Sequence, residues 1–323
     1  MSRKKIISII IPVYNEEKNV WNAYSETKKV FDTDLSKYDF EIIFTDNNST
    51  DNTMLELEKI AVEDHRVKVV TFTRNFGFNK SLITGYRLAE GDAAIQLDCD
   101  LQDPPQLFKQ FVELWEQGHD VVVGRRVNRP EAKWLLLLRK AFYRFLSNIS
   151  QDNVVLDGGD FRLVDRTILD QLREIHDSTP YVRGLVSILS SNQTDIPYHR
   201  DKRRFGESKF PVIKLIGLAL DGIVSHSTLP LRLATITGVI VTIITILLSL
   251  FYFSSKLIFD YPMPAGFATD VILQLLSISL NAIFLGVIGE YVARIHQQLR
   301  YTPITVIKKT INFSNSSKHG HKE

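Results

Sequence analysis

The chain has 323 residues, with 39 Lys and Arg against 37 Asp and Glu, a net charge of +2. So even a balance excludes a nucleic-acid binder that depends on phosphate neutralisation. The one cysteine, Cys99, excludes an intrachain disulfide and suits a reducing compartment for the soluble part.

The first residues, MSRKKIISIIIPVYNEE, place basic side chains ahead of an apolar run, as an export signal does. The run ends at Val13, includes Pro12 and has no small-residue cleavage site, so a strand is expected instead. Apolar, β-rich runs then recur: Ile6 to Ile11, Glu41 to Thr45, Val67 to Phe72, Ala93 to Leu97 and Asp120 to Val123. Helical patterns alternate with them near Glu16 to Phe31, Asn52 to Val62, Asn79 to Ala89 and Pro105 to Gln117. This rhythm predicts an α/β domain with a mainly parallel sheet covered on both faces.

Beyond about residue 228 the composition changes. Leu233 to Ser255 holds 23 consecutive uncharged residues, and Val271 to Gly289 holds 19. As helices they would span roughly 34 and 28 Å, close to the thickness of a bilayer core. Buried core helices would give similar runs, but two of them together at one end favour a transmembrane hairpin. Arg232, Arg294, Arg300, Lys308 and Lys309 flank the hairpin, whereas the connecting loop carries only Lys256. The positive-inside rule then places the N-terminal domain and both termini in the cytoplasm, in a multi-pass protein of the inner membrane.

The expected organisation is a catalytic domain over 1–228, two membrane helices near 232–256 and 268–291 within 229–292, and a cytoplasmic tail over 293–323. Polar Gln274 and Asn281 in the second span suit bonds between helices of neighbouring copies, as in a homo-oligomer. The last ten residues, SNSSKHGHKE, are too polar to pack.

Polar clusters close the first four strands: PVYNEE, DNNSTD, TRNFG and DCDLQD. In a parallel sheet these loops share one rim, where ligands bind. Ser49 or Asp51 would also serve as an ordinary helix cap. No GxGxxG follows the first strand and no GxxxxGK[ST] occurs, which disfavours a dinucleotide-binding dehydrogenase and a P-loop nucleotidase. The crowding of Asp98, Asp100 and Asp103 calls for a compensating cation, since like charges raise each other's pKa. A divalent ion bridging carboxylates to a diphosphate would supply it. Cys99 is read as a small residue pointing into the sheet.

IIIPVYNEE, TDNNSTD, RNFGFNKS, DCDLQDPP, VVGRR, GGDFRLVDR, YVRGL and RRFGESKF together resemble the family 2 glycosyltransferases of the GT-A fold. The likeness is greatest to the polyprenyl-phosphate group, which contains bactoprenol glucosyltransferases and dolichol-phosphate mannose synthases. It implies a Rossmann-like GT-A catalytic domain followed by the two-helix hairpin, and inverting transfer of one sugar from a nucleotide sugar to a polyprenyl phosphate. The bacterial-type hairpin favours UDP-glucose and undecaprenyl phosphate, with GDP-mannose the runner-up. A processive polysaccharide synthase would show QxxRW, to which QQLRY at Gln297 to Tyr301 is a near miss. A non-catalytic membrane adaptor retaining the fold is the rival from another class.

The resemblance assigns Asp98 and Asp100 to the metal-binding DxD, with Gln102 spaced to add a neutral oxygen to Mg²⁺ or Mn²⁺. Asp46 and Asn47 stand where the family reads the base or ribose, and Pro12, Tyr14 and Glu16 complete that wall. Where the family shows DDGS or NDGS, this chain has DNNS. Asp160 matches the acidic residue discussed as catalytic base, with Asp157 a weaker candidate. A phosphate monoester is already mostly ionised at neutral pH, so Asp160 is also read as orienting sugar or metal. Asp103 is expected to cap the helix after the prolines.

Arg203, Arg204, Ser208 and Lys209, with Arg125 and Arg126, would bind phosphate, because guanidinium groups hold its oxygens bidentately; an ordinary surface role is the alternative for each arginine. In EAKWLLLLRKAFYRFLSNIS, Leu135, Leu138, Phe142, Phe145 and Ile149 share a helical face opposite Lys133, Lys140, Arg144 and Ser147. A basic amphipathic helix near 131–150 lying on the lipid bilayer is expected, although core packing would give the same stripe, with a second near 210–227. Arg139, on the apolar flank, would snorkel to the lipid phosphate.

Overall fold

The computed structural model describes residues 3–127, 158–175, 177, 180–199, 266–299 and 303–313, with scattered positions between 236 and 247. The chain divides into two units: 1–147, 152–209 and 301–323 form the first, and 148–151 with 210–300 form the second.

In the first unit, strand β1 (Ile6–Val13) is IISIIIPV, almost wholly apolar and β-branched, as a strand buried on both faces requires. It pairs in parallel with β2 (Asp39–Asp46) on one side and β4 (Ala93–Gln96) on the other. β3 (Val67–Phe72) extends the parallel run beyond β2. On the other flank β6 (Gly158–Asp165) runs antiparallel to both β4 and β5 (Val121–Arg126), and β7 (Gln193–Tyr198) closes that edge parallel to β5. The eighth strand, β8 (Ile307–Ile311), lies antiparallel on β3, giving the order β7-β5-β6-β4-β1-β2-β3-β8.

Helices cover both faces. One core joins Ile7, Ile9 and Ile11 to α1 (Val20–Thr33), α2 (Thr53–Glu63) and α4 (Phe108–Glu116) through Ala23, Ile60 and Phe111. The other joins Ile10, Ala94 and Val123 to α3 (Phe78–Leu88), α5 (Arg166–Glu174) and α6 (Val182–Leu189) through Ile83, Leu169 and Val186. Each fully buried isoleucine contributes about 1.5–3 kcal/mol, so the alternating sides of β1 weld the two layers to one sheet. α3 lies so close to β1 that a Cβ on Gly85 would stand 2.3 Å from Ile10 Cγ2.

The five expected strands and four expected helices are present. α1 starts at Val20 rather than Glu16, because Glu16 and Glu17 are drawn into bonds with the loop after β2. β6, β7 and β8 were not expected. Within the expected tail over 293–323, residues Ile307–Ile311 form a sheet strand. Thr73 N donates to Val306 O, Lys309 pairs with Glu58 at 2.6 Å, and Asn312 Nδ2 donates to the carbonyls of Ala61 and Val67. SNSSKHGHKE falls outside the described residues.

In the second unit α7 (Phe267–Leu299) runs 33 residues, about 50 Å. Leu273, Ile278, Ile283, Leu285, Ile288, Val292 and Ile295 are exposed on it. Counted over the described positions alone, which leave out many of its side chains, no helix is long and apolar enough to cross a membrane. The expected second span coincides with α7, while 232–256 is described only at scattered positions and the interface helices near 131–150 and 210–227 lie outside the described residues.

Candidate functional site

The chain runs from β1 outward to β2 and β3, then returns to place β4 on β1's other side. In open α/β sheets such a reversal sets the ligand crevice beyond the carboxyl ends of the two diverging strands, here β1 and β4. All four loops at this rim turn through a left-handed residue: Asn15 (φ 57°), Asn48 (φ 61°), Gly77 (φ 86°) and Leu101 (φ 53°). Asparagine and glycine tolerate that region; leucine does so at a cost of about 1–3 kcal/mol, a strain typical of sites over-determined by their surroundings. Asn48 also accounts for DNNS in place of DDGS, since asparagine is the side chain best able to follow glycine there.

The loops after β1 and β2 are laced together. Asn15 N donates to Ser49 Oγ (2.9 Å), Thr50 N to Asn15 Oδ1 (2.8 Å) and Glu16 N to Thr53 Oγ1 (2.8 Å). Asp46 is buried and accepts from Ser49 N and Oγ; burial nonetheless raises its pKa. Asn47, also buried, accepts from Phe76 N and so ties in the loop after β3. Both residues thus hold the rim's backbone, while Tyr14 is exposed and Pro12 and Glu16 are partly so.

Acid accumulates after β4. Gln96, fully buried, donates from Nε2 to Asp98 Oδ1 at 2.8 Å. Removal from water, then the charges of Asp103, Asp100 and Asp160, raise Asp98 to about 7. Asp100 accepts from Gln102 N at 3.2 Å across the left-handed Leu101. Cys99 packs into the core as expected, and its thiol is pushed up by burial.

Asp103 departs from expectation. The turn at Pro105–Leu107 has no side-chain cap, and Asp103 is instead fully buried, accepting from Arg126 Nη2 (3.1 Å) and the Tyr198 hydroxyl. Arg125 likewise pairs with Asp195 at 2.6 Å. Both arginines read as phosphate ligands therefore already hold carboxylates, because β7 brings Asp195 and Tyr198 alongside β5.

Asp160, on β6 beside β4, receives both Nε (3.3 Å) and Nη2 (2.8 Å) of Arg183 from α6. Arg183 lies in YVRGL, a stretch that carried the family resemblance with no role attached; an arginine two residues past an exposed tyrosine was the available signal. Asp157, Arg139, Arg203, Arg204, Ser208 and Lys209 lie outside the described residues.

Among the described residues no three His, Cys, Asp or Glu side chains group to hold a metal by themselves. Asp98 and Asp100 offer two carboxylates, which fits an ion that completes its shell with substrate phosphates. The raised Asp98 is what such a cation would relieve.

A mainly parallel α/β sheet with strained loops and acidic side chains at its switch point is the arrangement in which α/β proteins take ligands at the carboxyl rim. Residues 8–173 match the model of glycosyl transferase family 2, and the chain belongs to that family. It is 35% identical over 316 residues, 98% of this chain and 97% of that protein, to the uncharacterized glycosyltransferase YkcC of Bacillus subtilis. It is 33% identical over 312 residues, 94% of this chain and 98% of that protein, to the SfII prophage-derived bactoprenol glucosyl transferase of Shigella flexneri. Among solved structures, glucosyl-3-phosphoglycerate synthase of Mycobacterium tuberculosis with Mn²⁺ and UDP is 18% identical, with a TM-score of 0.43 over 68% of this chain and 78% of that one. So low a score leaves the fold to rest on the sheet order and the family match.

Proposed function

We propose that this chain transfers one sugar, with inversion, from a nucleotide sugar to the phosphate of a polyprenyl lipid at the cytoplasmic face of the membrane. The observation that carries this reading is the placement of Asp98 and Asp100 at the β1–β4 crevice, in a chain matched almost end to end with bactoprenol glucosyl transferases. UDP-glucose and undecaprenyl phosphate are the preferred pair, and GDP-mannose is the second donor.

In this mechanism the nucleotide lies over the laced β1–β2 loops, and its diphosphate faces Asp98 and Asp100. A divalent ion, Mg²⁺ or Mn²⁺, bound there with Gln102 nearby would stabilise charge on the departing diphosphate as a Lewis acid. The acceptor phosphate oxygen attacks the anomeric carbon already ionised, so no protein group has to remove a proton. Asp160, steered by Arg183, then acts on the position of the sugar.

Membrane attachment is part of this proposal, and chain connectivity limits its form. The second unit leaves the first after Lys209 and rejoins it at Tyr301, so an insertion that spans the bilayer crosses it an even number of times. The exposed apolar side chains along α7 suit lipid contact. Two crossings would keep the catalytic unit and β8 on one side.

Purified protein in detergent is offered a panel of radiolabelled nucleotide sugars, undecaprenyl phosphate and Mg²⁺ or Mn²⁺. A chelator-sensitive labelled lipid is expected and identifies the sugar. Donor hydrolysis without lipid product would move the acceptor elsewhere, and complete inertness would favour the adaptor.

A further inference from the structure

Arg162, in GGDFRL, is 3% exposed, yet none of the roles above employs it. Among the described residues its hydrogen bonds go to two main-chain carbonyls: Nη2 to Gly159 O at 2.8 Å, and Nη1 to Arg183 O at a longer 3.4 Å. Burying a guanidinium without a carboxylate bonded to it is costly, and an apolar side chain of similar volume would serve packing better. Those two carbonyls are the one immediately before Asp160 and the one belonging to Asp160's own partner.

Register places the rest of the surroundings. Arg162 stands opposite Gln96 across the β4–β6 pair, on the face where Ala94 and Val164 pack against α3 and α6. Gln96 holds Asp98 from this side. Tyr86 of α3 is buried there too, its hydroxyl without a partner among the described residues, close enough to feel the charges of Arg162 and Asp160.

We propose that Arg162 is a positioning residue: its buried fork clamps β6 to α6 at the carbonyls flanking Asp160 and Arg183, and so fixes where the Asp160 carboxylate stands. Arginine is required because one planar, permanently charged group must reach acceptors on two elements at once. Lysine keeps the charge but has no fork. The catalytic half of this inference rests on the glycosyl-transfer reading; the clamp itself does not.

The test uses full-length protein with Arg162→Met, Arg162→Lys and Tyr86→Phe. Misplacement of a reacting group by about 1 Å costs on the order of 100-fold, so Arg162→Met is expected to lower kcat by about that factor. Donor KM should stay within about twofold, since the nucleotide-binding loops are untouched. Arg162→Lys falls between, and Tyr86→Phe, which removes only an unpartnered hydroxyl, matches wild type. Amide hydrogen exchange should quicken in Arg162→Lys at 158–161 and 182–185 while β1 to β3 stay protected. Active wild type with unchanged kcat in Arg162→Met overturns the inference, as does exchange that quickens evenly over the sheet. Should wild type transfer no sugar, the functional reading fails and exchange alone decides the clamp: local quickening upholds it, and no change refutes it.

Discussion

The two ends of the sheet differ in how far the fold itself offsets their buried carboxylates. At the amino end Glu41 is buried beside Ser8 and receives its hydroxyl, the Glu90 amide and the Lys68 ammonium at 2.7 Å. Lys68 also meets Glu90, and this contact helps to raise the pKa of the ammonium against burial. Here the fold supplies the counter-charge itself. At the carboxyl end Asp98 faces Asp103, Asp100 and Asp160 and is held near neutrality of charge, with a pKa of about 7. Asp103 and Asp160 are paired with Arg126 and Arg183, yet burial and acidic neighbours still hold Asp98 raised, so the acidity at that point of the rim speaks for ligand rather than for stability.

Substitutions at three positions test the account. Lys68→Met should have the largest effect on folding, about 3–5 kcal/mol, because it leaves Glu41 buried without its cation. Denaturant titration should show the loss, and activity per folded molecule should be retained. Asp100→Ala should do the reverse, lowering transfer by about 100- to 1,000-fold, the range for removing one electrostatic stabiliser of a departing group. Its melting temperature should change by no more than a few degrees, since the relief of one like charge offsets the lost bond from Gln102 N. The smallest effect is expected at Asn48. Replacement by alanine in the left-handed conformation should cost about 1 kcal/mol, whereas glycine should be nearly neutral in a thermal melt.

Much of this contrast was legible in the sequence. Apolar β-rich runs ending in polar loops marked β1 to β5 and their shared rim, and the DCDLQD crowding marked its acidity. What escaped was whatever depends on pairing distant in the chain. IKKTI carries two lysines and reads as a charged flank of a membrane span, because an exposed edge strand with one partner needs no apolar run. QTDIPY has a proline, which an edge strand tolerates. Without β7 beside β5, Asp195 and Tyr198 had no visible connection to Arg125, Asp103 and Arg126. The Asp160–Arg183 pair was hidden for the same reason, since α6 is brought to β6 only by packing.

The most direct test of the account is the thermal shift produced by Mn²⁺ with UDP, measured from pH 6 to 8 on wild type and Asp98→Asn. A carboxyl raised to about 7 in the folded state gives stability that is full below its unfolded value near 4 and is lost as pH rises through 7. The metal-free protein should therefore weaken over that window, and bound cation should restore it, so the shift should grow from pH 6 to pH 8. In Asp98→Asn both the slope and the growth should disappear. A wild-type shift that is the same at every pH, or one that Asp98→Asn retains in full, would contradict the claim that these carboxylates await a cation.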